Sequence, residues 1–264
     1  MRTPRHGWFE KACFNSIWPL IYVYMNKRLL LLSNSTNPGE AYLSWPKNHI
    51  KDFLGQSVKN VLFIPYAGVN IDEDDYIEAV SGAFTTLGYK VKSITQNEIR
   101  AGFLDAYDAV VVGGGNTFYL VTQLHRYQLI EPIRQAVERG MPFIGWSAGA
   151  NIACPTIRTT NDMPIIEPPS FSALDLVPFQ INPHYTEATL PNHGGESRMM
   201  RIQEFIKVNP DIPVIGLPEG SLLRYEKERM YYMGKKEGKI FIAGQDQLMC
   251  KDGDDLSWLL QYKP

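Results

Sequence analysis

A serine flanked by glycines, Gly145-Trp146-Ser147-Ala148-Gly149, follows the apolar run Pro142-Phe143-Ile144 and leads into Ala150 and Asn151. Gly-x-Ser-x-Gly between a strand and a helix is the pattern of a nucleophile elbow, a tight turn that projects a serine hydroxyl from the sheet edge. A hydroxyl so placed performs acyl transfer if a base takes its proton and amide groups receive the oxyanion. Ala148 N–H, next after the serine at the helix start, is one such donor. The plainer reading is a glycine-rich turn whose serine caps a helix, and the strand before and helix after favour the elbow.

A second oxyanion donor comes from Gly113-Gly114-Gly115-Asn116-Thr117-Phe118, a glycine turn that follows the run Val110-Val111-Val112 and opens a helix. It lacks the Lys-Ser/Thr of a phosphate loop and the spacing of a dinucleotide fingerprint. Beside the elbow, Gly115 N–H becomes the candidate. Five histidines compete for the base. His6 lies near the N-terminus, His49 and His125 in polar helical stretches, and His193 in a polar, glycine-rich loop. His184 instead ends the apolar stretch Phe179-Gln180-Ile181 in Asn182-Pro183-His184-Tyr185, a strand-end loop suited to presenting an imidazole. Two carboxylates could orient it: Glu219, after Val214-Ile215-Gly216-Leu217, and Asp162, in the polar loop Arg158-Thr159-Thr160-Asn161-Asp162-Met163-Pro164. Either could equally cap a turn.

These residues need a scaffold. Short apolar runs at 29–32, 61–64, 91–94, 109–112 and 142–145 alternate with helical patterns at 74–87 and 130–139, the latter ending at Gly140. Runs this apolar suit strands covered on both faces, and the alternation predicts an α/β fold: a single, doubly wound, mainly parallel sheet. Further on come a strand near 179–181, a helix over 196–208, a strand at 214–216 and two hairpin-like pieces at 222–233 and 239–243. With 264 residues, 26 Lys+Arg against 28 Asp+Glu and no basic run, the chain offers no footprint for nucleic acid. Cys13, Cys154 and Cys250 have no metal-ligand spacing and read as reduced thiols. Residues 1–24 form a basic, then apolar-aromatic extension, too short to span a membrane and without a signal cleavage pattern. It is expected to be dispensable, with residues 25–264 forming one catalytic domain in the cytoplasm and no membrane partner. Nothing in the pattern specifies an oligomeric state.

Together, Leu29-Leu30-Leu31-Leu32-Ser33-Asn34-Ser35-Thr36, Gly113-Gly114-Gly115-Asn116-Thr117-Phe118, residues 145–164, Gln180-Ile181-Asn182-Pro183-His184 and Gly216-Leu217-Pro218-Glu219-Gly220 resemble the alpha-aspartyl dipeptidases (dipeptidase E). The resemblance runs from about residue 25 to about residue 220. It implies a fold similar to class I glutamine amidotransferases, with serine in place of cysteine, and hydrolysis of dipeptides bearing an N-terminal L-aspartyl residue without metal or organic cofactor. The family's active serine and histidine map onto Ser147 and His184. For the third member both Asp162 and Glu219 stand. The amidotransferase order of nucleophile, histidine, glutamate favours Glu219, and Asp162 would then meet the substrate's α-ammonium. Arg158 is the nearest cation in the matching loop for the substrate's β-carboxylate, since a guanidinium fits a carboxylate fork.

Two rival functions use the same residues. An α/β-hydrolase esterase orders its triad serine, acid, histidine, which Ser147, Asp162 and His184 would satisfy, although the gap from Ser147 to Asp162 is very short. A catalytically silent amidotransferase-like binding protein would have no need of both carboxylates beside an intact serine and histidine.

Overall fold

The structure, a computed structural model, describes residues 27–188 and 194–262. His6, Cys13, His193 and the extension over 1–24 lie outside those residues.

Strands β1 (Leu29–Leu32), β2 (Asn60–Ile64), β3 (Lys90–Ser93), β4 (Ala109–Val112) and β5 (Phe143–Trp146) pair in parallel in the order β3-β2-β4-β5-β1. A hairpin of β8 (Ser221–Glu226) and β9 (Arg229–Gly234) then adds antiparallel to β1, completing seven strands. Successive side chains of a strand point to opposite faces, and the core divides accordingly. Leu29, Leu31, Leu62 and Val110 pack against Leu120 and Leu124 of α3 (Thr117–Arg126) and Ile133 and Val137 of α4 (Ile130–Glu138). Leu30, Leu32, Val61 and Phe63 face the other way, against Ile50 and Phe53 of α1 (Lys47–Leu54) and Val80 and Phe84 of α2 (Glu73–Thr85). Helices on both faces explain why β1 is leucine at every position, all fully buried. Truncating any one of them to alanine should cost about 2–5 kcal/mol.

Local chemistry sets the helix ends. Asp72 caps α2 by accepting from the amides of Asp74 and Asp75. The helix over 130–139 stops where the sequence indicated: Gly140 takes φ 107°, and Met141 N donates to Ala136 O, the pairing of a glycine C-cap.

The later strands form a second sheet of their own, an element that the reading of one sheet did not separate. Here β6 (Gln180–Pro183) pairs in parallel with β7 (Val214–Leu217), and β7 pairs antiparallel with β10 (Gly238–Phe241), which pairs with β11 (Leu248–Cys250). The piece around 239–243 is therefore a central strand between β7 and β11. The two sheets share the core, and one hydroxyl ties their strand ends together. Ser33, fully buried just past β1, donates to Leu217 O at 2.7 Å and accepts from His184 N at 2.9 Å, so the C-terminal ends of β6 and β7 are held against the end of β1.

Candidate active site

Ser147 leaves β5 with φ 53° and ψ −114° and opens the short helix α5 (Ala148–Asn151). A non-glycine residue held at positive φ is strained, and the surroundings must enforce it. They do so by close backbone approach. A Cβ on Gly145 would lie 2.2 Å from Gly149 O, and one on Gly149 would lie 2.2 Å from Val112 O. Both glycines of the motif thus let α5 fold back onto β5 and β4, and Ser147 occupies the apex. Ala150 N and Asn151 N close the turn on Ser147 O at 3.0 and 2.9 Å.

His184 also adopts positive φ, 53°, directly after β6. Its Nε2 is 2.8 Å from Ser147 Oγ and its Nδ1 is 2.9 Å from Glu219 Oε1. An ionised carboxylate only accepts, so Nδ1 carries the proton and Nε2 is left to accept from the serine hydroxyl. That is the resting arrangement a general base requires. Glu219 is placed by its neighbours: Gly220 N donates to Asn34 Oδ1 at 2.8 Å, and Ser33 holds the carbonyl of Leu217. The pair is open to water, with side-chain exposures of 34% for His184 and 41% for Glu219.

Asp162 is engaged elsewhere. Its Oδ2 accepts from Thr117 N at 2.7 Å, Thr117 Oγ1 at 2.6 Å and Thr160 Oγ1 at 3.0 Å, which fastens it to the start of α3, just after the glycine turn. It lines the same cavity as Ser147 and His184, a space of about 630 Å³ that also borders Tyr42, Tyr76 and Gly115. The esterase order would need Asp162 on the imidazole, and Glu219 occupies that place.

The glycine turn runs beside the nucleophile. A Cβ on Gly114 would lie 3.0 Å from Ser147 Cβ, and one on Gly115, at φ +140°, would lie 2.0 Å from Ala67 O. Neither Gly115 N–H nor Ala148 N–H has an acceptor among the described residues.

Arg158 does not join this group. Thr159 and Asn151 turn inward onto Ile181 O, and Asn161 donates to Pro183 O. Between the buried Ile157 and Thr159, Arg158 is sent outward, where it donates to Asn209 Oδ1 at 3.1 Å and lies 5.6 Å from the Phe205 ring centroid. A cation that does lie near the site is Arg198, half-buried at the start of α6 (Arg198–Val208). It donates to the carbonyl of Pro183, next before His184, at 3.3 Å. With His184, Glu219, Lys236 and Lys239 it lines a second cavity of about 540 Å³. Burial lowers the pKa of its guanidinium and Arg201 acts the same way, while Glu219 and Asp162 oppose them. In sequence Arg198 was one of several polar residues on an amphipathic helix, and Ser33 one serine after a strand; neither carried a local signal.

Residues 29–233 match peptidase family S51. The chain belongs to that family. It is 51% identical over 237 residues to a protein named peptidase E from a Nostoc species, spanning 90% of this chain and 98% of the relative. It is 46% identical over 237 residues to peptidase E of Shewanella amazonensis, spanning 89% of this chain and all of the relative. A crystal structure of a peptidase from an acI-B1 actinobacterium shares the fold, with a TM-score of 0.65 at 17% identity, over 90% of this chain and 99% of that one. The chain is accordingly a peptidase acting on peptide substrates, as the resemblance implied. Among the described residues no helix is long and apolar enough to cross a membrane, and no group of three or more His, Cys, Asp or Glu is arranged to hold a metal ion.

Proposed function

We propose that this peptidase cleaves dipeptides with an N-terminal L-aspartyl residue through an aspartyl ester on Ser147. The observation that carries the reading is the unbroken relay Ser147 Oγ, His184, Glu219, with contacts of 2.8 and 2.9 Å. His184 Nε2 takes the hydroxyl proton as Oγ attacks the scissile carbonyl, and Glu219 stabilises the imidazolium through Nδ1–H. The amides of Gly115 and Ala148 receive the oxyanion. His184 then returns the proton to the leaving amine, and water resolves the ester by the reverse path.

Selectivity rests on charge. Asp162 has its Oδ2 committed to Thr117 and Thr160, which supports a role for its Oδ1 in receiving a substrate α-ammonium. Arg198 replaces Arg158 as the group for the β-carboxylate, because it lies beside His184 and is held partly out of water. A neutral asparaginyl side chain would offer that guanidinium no carboxylate, a loss worth roughly 3–5 kcal/mol for a fully buried charge and less here, where Arg198 is half-exposed and already bonded to Pro183 O. The test is a panel of Asp-X, Glu-X, Asn-X and Ala-X dipeptides with the native protein and with Ser147→Ala. Aspartate released from Asp-X by the native protein alone is the expected outcome, and Ala-X cleaved as fast as Asp-X would refute the assignment.

A further inference from the structure

Tyr76 in α2 reaches the glycine turn: its hydroxyl donates to Gly114 O at 3.0 Å. Gly114 C=O and Gly115 N–H belong to one planar trans peptide, so they point in opposite directions, and whatever holds the first aims the second. This peptide has little intrinsic restraint. Neither residue has a Cβ, and Gly115 at φ +140° occupies a conformation open to glycine alone. The residues on either side are tied down, Gly113 N to Ile64 O at 3.1 Å and Asn116 N to Ala67 O at 2.8 Å.

Two further features show that the phenol is built into this place. A Cβ on Gly113 would fall 2.3 Å from Tyr76 Oη, so the turn is bare where the hydroxyl approaches. The ring meets Phe63 edge-on at 5.2 Å, and Phe63 stacks on Trp146 at 6.1 Å, the residue before the nucleophile. Burial, opposed by neighbouring hydrogen bonds, raises the pKa of the phenol, which keeps it a neutral donor.

We propose that Tyr76 is a positioning residue of the oxyanion site: its hydroxyl fixes the Gly114–Gly115 peptide with Gly115 N–H turned toward the acyl oxygen of the substrate. The inference rests on the proposed role of Gly115 and Ala148. Without the hydroxyl the peptide is free to rotate, and rotation presents a carbonyl oxygen, which repels the oxyanion, in place of a donor.

The test is Tyr76→Phe, which removes one oxygen and keeps the ring, with Gly113→Ala as a second variant that displaces the hydroxyl and keeps Tyr76. Both are compared with the native protein in the acylation of Ser147 by p-nitrophenyl acetate, which has no ammonium or aspartyl group, and in Asp-X turnover. Expected is a fall of about 10–100-fold in ester acylation and in dipeptide kcat, with KM for Asp-X within about twofold of native. Ester acylation at the native rate in Tyr76→Phe, or a raised KM with kcat kept, overturns the proposal. If the native protein itself leaves Ser147 unlabelled by the ester, the proposed function fails first. If it is labelled and both variants match it, only the role of Tyr76 fails.

Discussion

Replacing Glu219 by glutamine removes one negative charge from a side chain that already reaches His184 Nδ1 at 2.9 Å. The isostere keeps the reach but offers an amide that can present either oxygen or nitrogen, so the imidazole is no longer confined to the tautomer that leaves Nε2 free. The second loss is electrostatic. When His184 becomes an imidazolium, the charges of the pair lie about 4 Å apart, an attraction of about 4 kcal/mol at an effective dielectric of 20 and about 1 kcal/mol in water. With side-chain exposures of 34% and 41%, His184 and Glu219 fall between those limits. A fully buried triad aspartate is worth about 10⁴-fold in kcat; here about 10²-fold is expected, with 10³-fold as the upper end. The assay is kcat at saturating Asp-X together with turnover of a simple ester, and both should fall alike because the same base serves both. A Glu219→Gln variant within about threefold of native on both substrates would refute the role given to Glu219, and its loss would then have to be sought at Asp162.

Asp162→Asn should lower kcat/KM for free dipeptides by about 10-fold or more while sparing an ester without an ammonium group, since the carboxylate meets the substrate's charge rather than the imidazole; equal loss on both substrates would point to a role in the relay. Arg198→Met should weaken Asp-X hydrolysis about 10-fold or more and narrow its lead over Asn-X, whereas Arg158→Met, on the outer face of its loop, should leave the preference unchanged. A chain starting at Met25 should fold and keep native kcat/KM and melting temperature, as β1 begins at Leu29 and the family match at residue 29; precipitation or lost activity would make the extension structural. Incubation with EDTA should leave activity unchanged, because the serine supplies the nucleophile; loss restored by zinc or manganese would contradict the mechanism.

What could be read from sequence was what is decided locally. The leucines of β1 and the valines of β4 declare strands buried on both faces, because only helices on both sides of a sheet make such runs tolerable. The elbow was legible because strand, tight turn and small helical residues are contiguous, and His184 because it ends an apolar run. The positive φ of Ser147 and the approach of Gly149 to β4 were not, since Ser147 N is held by Leu32 O and Gly149 packs on Val112 O, carbonyls of other strands. Ser33 joins the ends of three strands from two sheets, a contact across 151 residues to His184 that no local spacing encodes. Arg158 stood in the most distinctive loop, yet a loop has no fixed period to say which side chain faces the cavity, and Thr159 and Asn161 took the inward positions. Arg198 lies only 14 residues past His184, but it is the packing of α6 through Ile202 against Val214 of β7 and Phe241 of β10 that returns it to Pro183 O beside His184.

The covalent intermediate is the most direct test of the central claim. Native protein mixed with an Asp-X dipeptide or aspartyl ester, quenched in acid within the first turnover and weighed as intact protein, should show a fraction heavier by one aspartyl residue. Peptide mapping should place that mass on Ser147, and the heavier fraction should accumulate further in a variant slowed at deacylation. Dipeptide turnover with no covalent species at any quench time, or with the added mass on another residue, would contradict acyl transfer through Ser147.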